Sequence, residues 1–259
     1  MSKIYSWSQK FAKMKQAKIK FAFTLAEGAT HVDSLPTKVR FGFTLAEVLI
    51  PLGIIGVVAA MTIPTLMQKY YEKQTVAKLK ETYSILSQAL KSASQEEGLP
   101  EEWGYDFANR VAAEGGAAIL KKYIKVATDC GVDDTKGNCF YNGDYKALND
   151  SEHWNFSKSS AEYKMTLLNG TAIYFRFVDK SEGNGMVMSF KVDTNGPAKP
   201  NTLGRDLFFM RYYEGKGLLL VGNPQIESPY TESCLNKTQY GQGCAYYVVT
   251  FGNMDYLKK

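Results

Sequence analysis

Between Phe43 and Met67 the chain carries a nearly uninterrupted apolar run in which Glu47 is the only ionisable side chain. About 20 apolar residues rising 1.5 Å each cross the roughly 30 Å hydrocarbon core of a bilayer, so the run reads as a membrane-spanning helix. A secretory signal peptide places its apolar stretch ahead of a small-residue cleavage site and is discarded with it. Here the order is reversed, because Gly42 precedes the run. The segment before Gly42 holds Lys3, Lys10, Lys13, Lys15, Lys18, Lys20, Lys38 and Arg40 against Glu27 and Asp33. That basic flank marks the cytoplasmic side and sends the remainder outward.

Gly42-Phe43-Thr44-Leu45-Ala46-Glu47, followed by Val48-Leu49-Ile50, resembles the N-terminal signature of type IV prepilins and type II secretion pseudopilins. The resemblance implies that a membrane prepilin peptidase cuts after Gly42, that the new amine of Phe43 is methylated, and that the apolar helix stays as the mature N-terminus. It implies an α+β, pilin-like fold, with a long N-terminal helix whose first half spans the membrane and whose second half packs on an antiparallel sheet. The implied partners are homologous subunits bound through that helix, the peptidase, an inner-membrane assembly platform and the lipid bilayer. The implied location is the bacterial inner membrane, single-pass, with the C-terminal domain outside the cytoplasm and able to join a periplasmic or surface filament.

Glu47 has a physical reason to take part in assembly. A carboxylate inside an apolar membrane helix costs about 2.5 to 3.5 kcal/mol and calls for a partner. Cleavage after Gly42 creates an ammonium four residues upstream, one helical turn away, at a helix end that itself favours negative charge. In the family the corresponding glutamate neutralises the N-terminal amine of a neighbouring subunit, and that role is carried to Glu47. The competing reading is an ordinary single-pass anchor with Glu47 near the interface. Pro64 stands where pilins resembling this chain have a helix-bending proline, and a proline inside a helix removes a hydrogen bond and kinks the axis. Pro51 is less expected, although it lies near the first turns, where a missing donor matters least. Phe21 to Glu27 repeats part of the signature twenty residues earlier, with Ala22 for the glycine and no apolar run after it. It reads as a peptidase docking site, a duplicated remnant or an overlong start.

The divisions that follow are a basic leader over 1–42, a transmembrane helix over 43–67, an amphipathic stem over 68–97 and an extracytoplasmic globular α+β domain over 98–259. The formal charge of +5 on 259 residues misleads, because the leader carries eight of the 31 basic and two of the 26 acidic residues. Without it 23 face 24, a net charge near −1, and no nucleic-acid partner is expected. In the stem, Val76, Leu79, Tyr83, Leu86 and Leu90 recur at spacings of three and four, and Gly98-Leu99-Pro100 ends the pattern. A helix is expected from about Asp106 to Lys122. Strands are expected over 163–168, 171–178, 186–192, 207–212, 218–221 and 246–251, the first two joined by a two-residue Asn169-Gly170 hairpin.

Four cysteines form two local pairs, Cys130 with Cys139 and Cys234 with Cys244. Outside the cytoplasm these read as disulfides, with a metal site or free thiols as alternatives. The segment from Asp193 to Asp206 is rich in Asp, Asn, Gly and Pro. Asp193, Asn195 and Asp206 offer oxygens to a calcium ion, which some secretion pseudopilins bind in a late loop, but the same residue types are what turns require. No other cofactor is expected. Catalysis finds little footing: the histidines are His31 and His153, and no GxSxG, HExxH, Walker or dinucleotide motif occurs. The expected class is therefore a structural subunit of a type II secretion pseudopilus or type IV pilus. The alternatives are a membrane-tethered minor pilin acting as adhesin or DNA-uptake module and, more remotely, a tethered enzyme.

Overall fold

The computed structural model describes residues 44–105, 107–134, 138–151, 153–156, 159, 161–179, 184–226, 233–235 and 240–258. The chain divides into two compact units, Met1–Leu52 and Gly53–Lys259. Helix α1 runs unbroken over Leu45–Glu96. It passes through Pro51 and Pro64, each of which lacks the N–H that would bond the carbonyl four residues earlier. Gly98 stops it by entering the left-handed region at φ 82°.

The stem half of α1 buries Val76, Leu79, Thr82, Leu86, Ala89, Leu90 and Ala93. Their spacing lays one stripe along the helix, and it packs into the main apolar core with the strands. Tyr83, expected in that stripe, sits half-buried at its edge and donates its hydroxyl to the Leu218 carbonyl at 3.2 Å. Helix α2 (Arg110–Leu120) adds Ala112, Ala113, Ala117 and Leu120 to the same layer, started by an Asn109 side chain that accepts from the Ala112 amide.

Six strands form one antiparallel sheet: β1 (Val126–Gly131), β4 (Tyr163–Leu167), β5 (Ala172–Phe177), β6 (Met186–Asp193), β7 (Leu207–Tyr213) and β8 (Gly217–Leu220), in the order β1-β4-β5-β6-β7-β8. A two-stranded ribbon, β2 (Tyr145–Lys146) with β3 (His153–Trp154), lies apart from it. From β4 to β8 the strands meander, and their two-residue period sorts side chains between two layers. Ile173, Phe175, Phe177, Met188, Phe190, Val192, Phe208 and Met210 join the helices. Ala172, Tyr174, Leu207 and Phe209 face the opposite side, where Phe140, Tyr145, Trp154 and Phe156 cover them. Strands β5 and β7 are apolar on both faces over much of their length, whereas the second face of β6 carries Ser189, Lys191 and Asp193.

Three expectations are corrected. Residues 246–251 are not a strand but part of helix α3 (Cys244–Phe251), which buries Cys244, Ala245 and Val248 at helical spacing and ends on Gly252 at φ 68°. The expected two-residue hairpin is a longer turn: β4 closes at Leu167, β5 opens at Ala172, and Gly170 takes positive φ while Asn169 does not. Val126–Gly131, which lies outside every expected strand, is edge strand β1, whose two register irregularities against β4 blunt an otherwise open edge.

Leu86 is 1% exposed. Leu86→Ala should lower the unfolding free energy by about 2 to 5 kcal/mol. Tyr83→Phe, which removes one half-exposed hydrogen bond, should cost about 0.5 to 1.5 kcal/mol. Denaturant titration of the detergent-solubilised chain compares them, and equal losses would contradict the stripe described here.

Candidate functional site

From Leu45 to Met67 every large apolar side chain of α1 is solvent-facing: Leu45 is 77% exposed, Ile55 63% and Met61 73%. One stretch of this helix is long and apolar enough to cross a membrane, and none of that stretch is buried. A helix apolar on every face, and covered by nothing among the described residues, belongs in lipid or against other apolar helices.

Glu47 sits in the first turn of α1 in a reciprocal capping arrangement. Its Oε2 accepts from the Thr44 backbone N–H at 2.8 Å and from the Thr44 hydroxyl at 2.7 Å, and its own N–H donates to Thr44 Oγ1 at 3.2 Å. Thr44-x-x-Glu47 is a capping box, so two donors that the helix start leaves open are met by two side chains. The carboxylate has a partner inside its own chain, a role the sequence reading missed although the spacing was in view. Gly42 and Phe43, the expected cleavage and methylation positions, lie outside the described residues, as does the Phe21 to Glu27 repeat.

The loop that leaves β6 and returns as β7 brings Asp193, Asn195 and Asp206 together. Asp193 accepts from the Tyr145 hydroxyl at 2.5 Å and from the Asn195 N–H at 3.1 Å. Asp206 accepts from the backbone N–H groups of Asn201 and Thr202, both at 2.6 Å. Asn195 Nδ2 donates to the Lys199 carbonyl at 2.9 Å. Each of the four carboxylate oxygens thus already faces a hydrogen. These hydrogen bonds staple the loop. Other parts of the fold hold the loop: Lys78 of α1 donates to the Thr194 carbonyl at 2.9 Å, Leu203 N–H donates to Lys146 at 2.8 Å, and the Tyr256 hydroxyl donates to the Gly204 carbonyl.

The cysteines form two disulfides, Cys130–Cys139 and Cys234–Cys244. Cys130, Asp134 and Cys139 draw within 4.8 Å of one another, but the two sulfurs are bonded to each other. Asp134 meanwhile accepts from the N–H groups of Asn138, Cys139 and Phe140. The cluster pins a turn. The second disulfide anchors the start of α3 next to Gly204, where an added Cβ would press on Cys244 Sγ at 3.0 Å. His153, exposed on β3, faces Asp150 at 3.8 Å.

A family model described as a family of unknown function (DUF6613) matches residues 65–233. No curated protein and no solved structure matches the chain.

Burial pushes the Asp206 carboxyl up from 3.8 to about 6. Burial first, and then the facing charge of Asp206, push Asp193 well above the usual carboxylate range. Between pH 3.8 and about 6 the folded chain therefore holds protons at Asp206 that the unfolded chain has lost. Its contribution to stability is full below pH 3.8 and is lost as pH rises through about 6, a change of about 3 kcal/mol. Asp150, held low by the Lys146 ammonium, has the opposite slope, but below 3.8. Thermal melts should show stability rising on acidification from pH 7 to about 4, and Asp206→Asn should shrink that rise. A wild-type curve that falls over this window would contradict the buried-acid description.

Proposed function

This chain belongs to DUF6613, a family of unknown function, and from its own residues we propose that it is a pilin-like structural subunit. Processed after Gly42 and retained in the inner membrane, it assembles through its N-terminal helix into a type II secretion pseudopilus or a type IV pilus. The family match begins one residue after Pro64, so the signature around Gly42 and Glu47 stands outside it and is argued on its own.

The observation that carries this reading is the union of two surfaces in α1: an all-round apolar first half, exposed throughout, and a second half whose single stripe is buried in an antiparallel α+β domain. An anchor alone needs the first property. The signature residues add a processing site that frees an amine next to Glu47, and the disulfides suit an oxidising compartment. Assembly in this scheme is an exchange of partners, in which Glu47 gives up the Thr44 amide and pairs with the methylated amine of a neighbour. The bilayer compensates poorly for an unpaired charge, so the exchange selects the register at which helices dock. An adhesin or DNA-uptake minor pilin would share this anchor and differ in what the globular domain touches.

The capping box supplies the experiment. Glu47→Gln keeps an N3 residue able to accept from Thr44 but carries no charge, whereas Glu47→Val loses both. If the charge is what assembly uses, both variants should be processed normally and both should be missing from sheared filaments. If Glu47 serves only as a helix cap, Glu47→Gln should assemble like wild type, and the neighbour-pairing role fails. Edman sequencing of protein recovered from its native membrane should begin Phe-Thr-Leu, and substitution of Gly42 with a bulky residue should leave the leader attached. A start at Met1, or beyond Met67, would overturn the subunit reading.

A further inference from the structure

A groove of about 650 Å³ opens at the foot of the globular domain, where α1 leaves its apolar stretch. One wall is α1 from Pro64 to Lys78, and the other is the 194–206 loop with Met254 and Leu257 from the C-terminal segment. We propose that this groove is a docking site for the headgroup of an anionic phospholipid, an inference that rests on the membrane-anchor reading above.

Position is the first argument. Pro64 and Met67 close the apolar run, and the residues that follow, Gln68-Lys69-Tyr70-Tyr71-Glu72-Lys73, change to the pattern of a membrane boundary. Tyr70 and Tyr71 are 61% and 58% exposed, amphipathic rings of the kind that collect at the headgroup level. The groove thus begins at the depth where hydrocarbon gives way to phosphate.

Charge is the second. Lys199 and Arg205 are exposed on the loop wall, and neither side chain has a hydrogen-bond or ion-pair partner among the described residues. The two acids that line the groove are both engaged: Glu72 accepts from Gln68 Nε2 at 3.0 Å, and Asp206 holds the amides of Asn201 and Thr202. What the groove offers a visitor is therefore an ammonium and a guanidinium above an apolar floor of Met67, Tyr71 and Leu257. A guanidinium matches phosphate with paired donors, and the floor covers the glycerol and the first methylenes. A soluble anion would use the charges and leave the floor in water, whereas a lipid uses both.

The test reads backbone hydrogen exchange over residues 194–205 in the full chain, reconstituted in nanodiscs of phosphatidylcholine alone or with phosphatidylglycerol. Phosphatidylglycerol should slow exchange in this loop. In K199E/R205E the fraction of phosphatidylglycerol needed for half protection should rise more than about tenfold, each basic residue near an anionic surface contributing about fivefold. The milder K199Q/R205Q pair should fall between, and Lys121→Glu, on a different part of the domain, should behave as wild type. Equal exchange in the two lipid mixtures would overturn the site. So would protection that follows protein concentration and ignores phosphatidylglycerol, which would assign the groove to a second copy of the chain. A chain that inserts into neither bilayer would overturn the anchor reading as well, so the two failures are told apart.

Discussion

The rest of the molecule is arranged around one backbone that must satisfy two environments. Over its first 20 or so residues α1 presents apolar side chains in every direction. Each Leu, Ile or Val left in water there forgoes about 1.5 to 3 kcal/mol of burial free energy, a total that only lipid or packed helices can recover. After Met67 the pattern narrows to one stripe, with Lys69, Glu72, Lys73, Lys80 and Glu81 on the faces that remain wet. That change of pattern leaves the first stretch long and apolar enough to cross a membrane and gives the second to the sheet as the main helical ridge of the core. The helix needs no break to do both, because the i to i−4 bonds, apart from those that Pro51 and Pro64 cannot donate, form whatever the side chains face.

How much of this could be read beforehand depended on whether a signal was local. The stripe from Val76 to Leu90 and the strands β4 to β7 were legible because their periods are written in the residues themselves. Residues 246–251 misled because Tyr-Tyr-Val-Val-Thr-Phe has strong strand propensity, while the decisive constraints lie elsewhere: a disulfide to Cys234, Gly252 at the stop, and burial at Cys244, Ala245 and Val248. Edge strand β1 has too few buried side chains to show alternation. At the helix start, Thr44 and Glu47 have the capping spacing in the sequence itself. The Asp193 and Asp206 pair is oxygen-rich in sequence, yet its meaning depends on Tyr145, 48 residues upstream of Asp193. No spacing rule points to such a partner.

The globular domain buries several ionisable groups, and each has its own solution. Lys164 is fully buried and donates to the carbonyls of Val132, Ser159 and Glu162, so its charge is solvated by backbone oxygens. Lys191 points into the aromatic layer, 4.1 Å from the centroid of Phe156 and 4.2 Å from that of Tyr174, and donates to the Tyr174 hydroxyl. Ring faces attract its ammonium, but burial pushes it down to about 8. These groups fix which strand lies beside which loop more sharply than apolar contacts do, because an unpaired buried charge costs far more than a shifted methyl.

The same logic explains why the loop from Asp193 to Asp206 carries buried acids at all. An apolar loop would be cheaper to fold, but it would not be bound to three separate elements. Asp193 reaches β2 through Tyr145, Asp206 shapes the segment whose Leu203 and Gly204 meet Lys146 and Tyr256, and Lys78 ties the first turn to α1. The stripe on α1 resists separation from the sheet but, being non-directional, resists sliding weakly. The hydrogen bond from Lys78 of α1 to this loop is directional. Carboxylates that desolvation works against are kept in this loop because they hold it in place through directional hydrogen bonds.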